Sequence, residues 1–160
     1  MKIQTYTRTT KVCTVDDLDE RIRLTVASYS DTHLLGDVSS QAQICCETHS
    51  TPTEQKKSGL FRRNTGPTPR RSLTGVIVTK RVIVLGTVTE DGYAVCLGSP
   101  LVGMHVERPS AAYGNETSVF LHSRWIGSTE ASSYLLPLGP EESSQNFLRT
   151  LQDLIIRAHQ

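Results

Sequence analysis

Along the chain, the spacing of apolar residues changes period several times, and each change marks an element. Leu18, Ile22 and Val26 recur every fourth position, with Arg21, Arg23 and Thr25 off the stripe. That is one face of a helix. Thr14-Val15-Asp16-Asp17 reads as its start, a Thr followed three residues later by an acid, and the stop falls near Ser28 to Ser30. Asp31 to Ser40 is short, polar and glycine-containing, which predicts a loop.

From Gln41 the period becomes two. Ala42, Ile44, Cys46 and Thr48 alternate with Gln43, Cys45, Glu47 and His49, the pattern of a half-buried strand. Arg71 to Val78 and Val82 to Thr89 are almost continuously apolar, as in central strands, and a turn at Thr79-Lys80-Arg81 joins them. Further strands are expected at Tyr93 to Leu97, Leu101 to Glu107, Thr117 to Trp125 and Ala131 to Leu138, separated by turns such as Gly98-Ser99-Pro100. The chain then changes to a second helix. Gly139 and Pro140 open it, Glu141 and Glu142 suit its positive end, and Phe147, Leu151, Leu154, Ile155 and Ala158 share one face.

Seven strands followed by one amphipathic helix resemble a pleckstrin-homology-like fold. The phrase Gly75-Val76-Ile77-Val78-Thr79-Lys80-Arg81-Val82-Ile83-Val84 is similar to the strand–Thr-x-Arg–strand phrase of bacterial members of that group, and Gln55 to Arg63 is similar to their basic–Gly–Leu–Phe loop. The resemblance implies a mainly β (α+β) chain: a seven-stranded antiparallel barrel or orthogonal sandwich capped by the C-terminal helix, with an additional N-terminal helix. Residues 1–40 would be a helical extension packed on the barrel, and 41–160 the domain itself. Bacterial relatives of this fold often self-associate through sheet edges, which makes a homo-oligomer one expectation.

Composition narrows the function classes. The 160 residues carry a net charge of +1, so global charge selects no partner. No run reaches the roughly 20 apolar residues of a membrane span, and Met1 to Tyr6 has no apolar leader core. A cytoplasmic location is expected. Cys13, Cys45, Cys46 and Cys96 show no metal-ligand spacing and read as small apolar fillers. His33, His49, His105, His122 and His159 are scattered; His105 and His122 can be strand neighbours, yet no carboxylate stands beside them at ligand spacing. No nucleophile elbow, phosphate-binding glycine loop or carboxylate pair is present, so neither an enzyme nor a cofactor is expected.

One anomaly remains. Between Glu54 and Glu90 there is no acid, whereas Lys56, Lys57, Arg62, Arg63, Arg70, Arg71, Lys80 and Arg81 all lie there. In the expected topology these cations cluster at one edge, with Leu60 and Phe61 as an apolar loop anchor. Such a cluster attracts phosphates or anionic headgroups. The expected function is therefore a binding or scaffold module for a protein or anionic partner through loops and sheet edge, with weak anionic-lipid binding through residues 55–71 as an alternative. Nucleic acid is set aside, because the basic run lacks interleaved aromatics for base stacking.

Overall fold

A computed structural model of the protein describes residues 6–53, 70–110 and 117–160. Among them are eight strands and two α-helices. Strands β1 (Tyr6–Val12), β2 (Ile44–Pro52), β3 (Ser72–Val78), β4 (Val82–Thr89) and β5 (Ala94–Pro100) form one antiparallel sheet in sequential order. Strands β6 (His105–Glu107), β7 (Val119–Ser123) and β8 (Ser132–Leu136) form a second, separate sheet. Helix α1 (Glu20–Thr32) follows β1, and α2 (Glu142–Ala158) ends the chain. The expected seven-stranded barrel or orthogonal sandwich is thus corrected: the described residues form eight strands in two separate antiparallel sheets, with no closed barrel.

The unexpected strand is β1. Its sequence, YTRTTKV, has no apolar alternation, and only Thr10 is buried. Pairing makes it a strand: its ladder with β2 runs from Tyr6↔Pro52 to Val12↔Cys46. The N-terminal segment therefore supplies both a sheet strand and a helix.

The large sheet is covered on both faces. One face carries Cys46, Val76, Val78, Ile83 and Leu85, packed against the small sheet and the buried side of α2. Phe147 and Leu151 there are fully buried, as the apolar stripe predicted. Withdrawing Phe147, Leu148, Leu151 and Leu154 from water is worth roughly 6–12 kcal/mol before the entropy of ordering is subtracted. The start of α2 is tied to β1. Gly139 N–H donates to Thr10 Oγ1 (2.8 Å), Ser143 Oγ donates to Thr10 O (2.8 Å), and the Glu141 carboxylate accepts from Thr10 N–H (3.2 Å). The helix begins at Glu142, two residues beyond Pro140.

The opposite face carries Cys45, Ile77, Val84 and Val88 beneath α1. Because of α1, β2 is buried on both sides from Cys45 to Thr48, not half-buried as its alternation implied. Glycines let the helix approach. A Cβ on Gly75 would lie 2.6 Å from Ile22 Cγ2, one on Gly86 3.3 Å from Val26 Cγ2, and one on Gly98 2.8 Å from the Tyr29 ring. Each glycine comes from a different strand, so together they form a shallow channel across β3, β4 and β5. Gly98, expected in a turn, is inside β5 for this reason.

Other boundaries moved for local reasons. Residues Val15–Asp17 form a 3-10 turn, and the Thr14 hydroxyl bonds the Asp17 side chain (3.0 Å) instead of a helix amide. Helix α1 starts later, at Glu20, where Asp19 accepts from Arg21 N–H, and it runs on to Thr32 with Ser30 buried. Of Leu101 to Glu107 only the last three residues are strand. Leu101 and Met104 reach the core from a turn closed by Met104 N–H on Leu101 O, with Gly103 at φ 84°.

Candidate functional site

Helix α1 is shorter than the sheet face it covers, and a cleft opens on that face toward each end of the strands. At the end where β2 finishes and β3 begins lies a cleft of about 240 Å³, lined by Arg21, His49, Arg71, Leu73, Val88 and Glu90 among others. Arg21 projects from the first turn of α1, His49 from β2, and Arg71 immediately precedes β3.

A buried carboxylate holds two of these parts in place. Glu47 is 3% exposed; its Oε2 accepts the Asp19 N–H (2.7 Å), and its Oε1 lies 2.9 Å from His49 Nε2. Lys11, directly across the ladder on β1, brings Nζ to 4.0 Å of the same oxygen. Glu47 thereby fastens the start of α1 to β2 and orients His49. Arg21 is steered by Asp19, whose carboxylate accepts from its Nε (3.0 Å) and Nη2 (3.2 Å). Those bonds, together with Asp19's acceptance of the Arg21 amide, hold the Asp19 carboxyl below the usual range despite partial burial. Arg71 is exposed and has no ion-pair partner among the described residues.

The expected basic cluster is only partly brought together. Arg70 and Arg71 sit at the mouth of this cleft, and Arg70 is paired with Asp91. Asp91 is held below the usual carboxylate range by the Thr89 hydroxyl and the Arg70 charge. Lys80 and Arg81 lie in the turn at the far end of β3, roughly 20–25 Å away by strand rise. The single-edge cluster is therefore corrected. Thr79 explains the turn: its Oγ1 accepts both the Arg81 and Val82 amides (3.1 and 3.0 Å). Lys56, Lys57, Leu60, Phe61, Arg62 and Arg63 lie outside the described residues. Their segment leaves after Thr53 and returns at Arg70, both at the strand ends that border the Arg71 cleft.

At the opposite strand ends lies a larger cleft, about 540 Å³, lined by Cys13, Val15, Asp16, Ser40, Gln43 and Cys45 among others. Cys13 continues the β1–β2 ladder by one step, donating its amide to Cys45 O (3.0 Å). Burial pushes both thiols up, with the carboxylates of Asp17 and Glu47 adding to it. Burial also raises Cys96, to about 12.

On the outer face of the small sheet, His105 and His122 are directly paired, their ring centroids 5.8 Å apart. Contrary to expectation a carboxylate does stand beside them: Glu107 Oε2 lies 2.6 Å from His122 Nε2, and Ser133 Oγ lies 2.5 Å from Nδ1. Ser, His and Glu in a row are the parts of a nucleophile chain. Acyl transfer also needs donors aimed at a developing oxyanion in a water-poor site, whereas Glu107, His105 and Ser133 all lie exposed on an open strand face. No group of three or more His, Cys, Asp or Glu side chains arranged for a metal occurs among the described residues. Trp125 is buried; its Nε1 donates to Ser132 O (3.2 Å) and its ring packs edge-on against Tyr134.

No family model matches this chain, and neither a curated protein nor a solved structure matches it. No helix among the described residues is long and apolar enough to cross a membrane.

Sequence reasoning missed Arg21, His49 and Glu47 as one unit, because they come from two elements far apart in the chain. The available signal was Glu47 itself, a lone acid among the alternating residues of β2.

Proposed function

We propose that the chain is a non-catalytic, cytoplasmic binding module that takes an anionic partner in the cleft of Arg21, His49 and Arg71. The observation that carries this reading is Arg71, exposed and without an ion-pair partner among the described residues, on a concave site that Arg21, held by Asp19, and His49, held by Glu47, also line. Arginine suits phosphate and carboxylate groups because its planar fork donates two parallel bonds. The sequence carries four further cations, at 56, 57, 62 and 63, between Thr53 and Arg70.

A pleckstrin-homology-like relationship belongs to the same proposal. Its support is the order of elements: a four-strand meander β2–β5, a three-stranded sheet β6–β8 and a closing helix α2, with β1 and α1 as additions.

Calorimetric titration with inorganic pyrophosphate tests the site, using the wild-type chain and Arg71→Glu. Binding that weakens with added salt and is lost in the variant supports it; equal heats for both proteins overturn it. Vesicles rich in phosphatidylserine, compared with neutral vesicles, separate a lipid surface from a soluble anion.

A second reading has its own observation. Strand β5 is the last of its sheet, and Tyr93 (65% exposed) and Val95 (39%) border an apolar groove with Leu85, Leu97 and Tyr134. Ile126 N–H covers this edge at Gly98 O, and the remaining edge toward Tyr93, flanked by apolar side chains, is a template for pairing with a second copy. Light scattering after size exclusion decides it: a monomer at every concentration removes the self-association reading and leaves the cleft untouched.

A further inference from the structure

We propose that Cys13 and Cys45 are a redox dithiol that closes to an intramolecular disulfide, fastening β1 to β2 at the edge of the larger cleft. Register and burial point the same way. The residues are directly opposed across an antiparallel pair, one step beyond Val12↔Cys46, with the Cys13 amide on Cys45 O at 3.0 Å. Both side chains pack in the same apolar cluster on the α1 face, so they point to the same side of the sheet. The amide bond makes this a hydrogen-bonded pair of the ladder, whose Cα atoms lie about 5.5 Å apart, inside the 4.4–6.8 Å range that disulfides span.

The other two cysteines do not compete. Cys46 faces the opposite core, fully buried beneath the small sheet and α2. Cys96 is on β5, three strands from β2, which at ~4.8 Å per strand is roughly 14 Å away.

Burial divides the roles within the pair. Cys13 is half-buried and lines the cleft, whereas Cys45 is 3% exposed. A small disulfide, the class to which oxidised glutathione belongs, reaches Cys13 first. The Cys13 thiol loses its proton to solvent, and its sulfur attacks one sulfur of the small disulfide. A Cys13–S–S–R bond forms, and the first small thiolate leaves. Cys45 sulfur then attacks Cys13 sulfur, the bond to R breaks, and the second leaving thiolate takes up the proton that Cys45 gives up. Two protein thiols are oxidised and one small disulfide is reduced to two thiols. The ring so closed contains residues 14–44, and with them the 3-10 turn and all of α1. The disulfide would thus secure the whole α1 layer by one covalent bond.

The test uses the full chain, equilibrated in buffers of graded reduced and oxidised glutathione, quenched by alkylation, digested and mapped by mass. Expected is a Cys13–Cys45 cross-linked peptide, with Cys46 and Cys96 alkylated after denaturation. Tm should rise by roughly 5–15 °C on oxidation. The Cys45→Ala variant should stop at a glutathione adduct on Cys13, and the Cys13→Ala, Cys45→Ala double variant should show no rise. The proposal is overturned if both thiols remain alkylatable across the series, if Cys13 of the wild type accumulates as an unresolved adduct, or if the mapped link includes Cys46 or Cys96. Mapping of the wild-type chain decides the matter even if the variants fold poorly.

Discussion

The two faces of the five-stranded sheet are closed in opposite ways. On the α2 face large side chains fill space: Phe147, Leu121, Leu136 and Leu151 are all inaccessible to water. On the α1 face space is removed instead. Gly75, Gly86 and Gly98 withdraw their side chains so that Ile22, Val26 and Tyr29 can rest on the backbone. The first solution fills its face except beside β5, where Leu85, Leu97 and Tyr134 border an apolar groove. The second admits one short helix and leaves clefts at both ends of the strands, and the chemistry of interest gathers there: Arg21, His49 and Arg71 in one, Cys13 and Cys45 in the other. Scaffold and candidate site are thus separated by the thickness of one sheet.

The contrast can be broken from either side. Phe147→Ala on the filled face should cost the most, about 3–5 kcal/mol, read as a lowered urea midpoint at unchanged slope. Gly75→Ala on the emptied face should cost about 1–3 kcal/mol although it only adds a methyl, because the added Cβ meets the buried Ile22 side chain. Ile22→Ala, which removes the Cγ2 that the new Cβ meets, should cost less in the Gly75→Ala background than alone, so a double-mutant cycle that adds without coupling would contradict the channel.

Smaller effects sharpen the cleft. Asp19→Ala removes the N-cap of α1 and should cost about 1 kcal/mol in a thermal or urea melt. Asp19→Asn isolates the titration. The folded pKa of Asp19 is lowered, so its ionic contribution is complete above its unfolded value and fades as pH falls through the lower folded one. Wild type and Asp19→Asn should differ at neutral pH and converge in acid, below the ordinary aspartate pKa of about 4. Divergence on acidification would reverse the assigned sign. Arg71→Glu is the mildest, within about 0.5 kcal/mol in stability, because the side chain is exposed and its backbone bond to Glu90 is retained.

Much of the scaffold was legible. Strands β3 and β4 announce themselves by unbroken Val, Ile and Leu, and α2 by its stripe at helical spacing, because burial on one face or on both leaves a direct periodic mark. Strand β1 leaves none: it is an edge whose exposed Thr, Arg and Lys carry no apolar period, and only its ladder with β2 defines it. The glycine channel was equally hidden, since a glycine in a strand reads as a weakness until the partner helix is placed. The basic cluster misled for a geometric reason. Residues 70–71 and 80–81 are near in sequence, but a seven-residue strand separates them by its whole length. The cleft residues Arg21, His49 and Arg71 and the Cys13–Cys45 pair share the complementary reason: distant in sequence, they meet only through tertiary placement of α1 and the register of β1.

The most direct test of the α1 face as the binding face is a two-dimensional amide spectrum of the labelled chain titrated with pyrophosphate. The account predicts graded shifts at Arg21, His49, Arg71 and Thr89, with the outer face of the small sheet, His105 and His122 included, unmoved. Shifts confined to His105, His122 and Ser133, or no shifts at all, would contradict it.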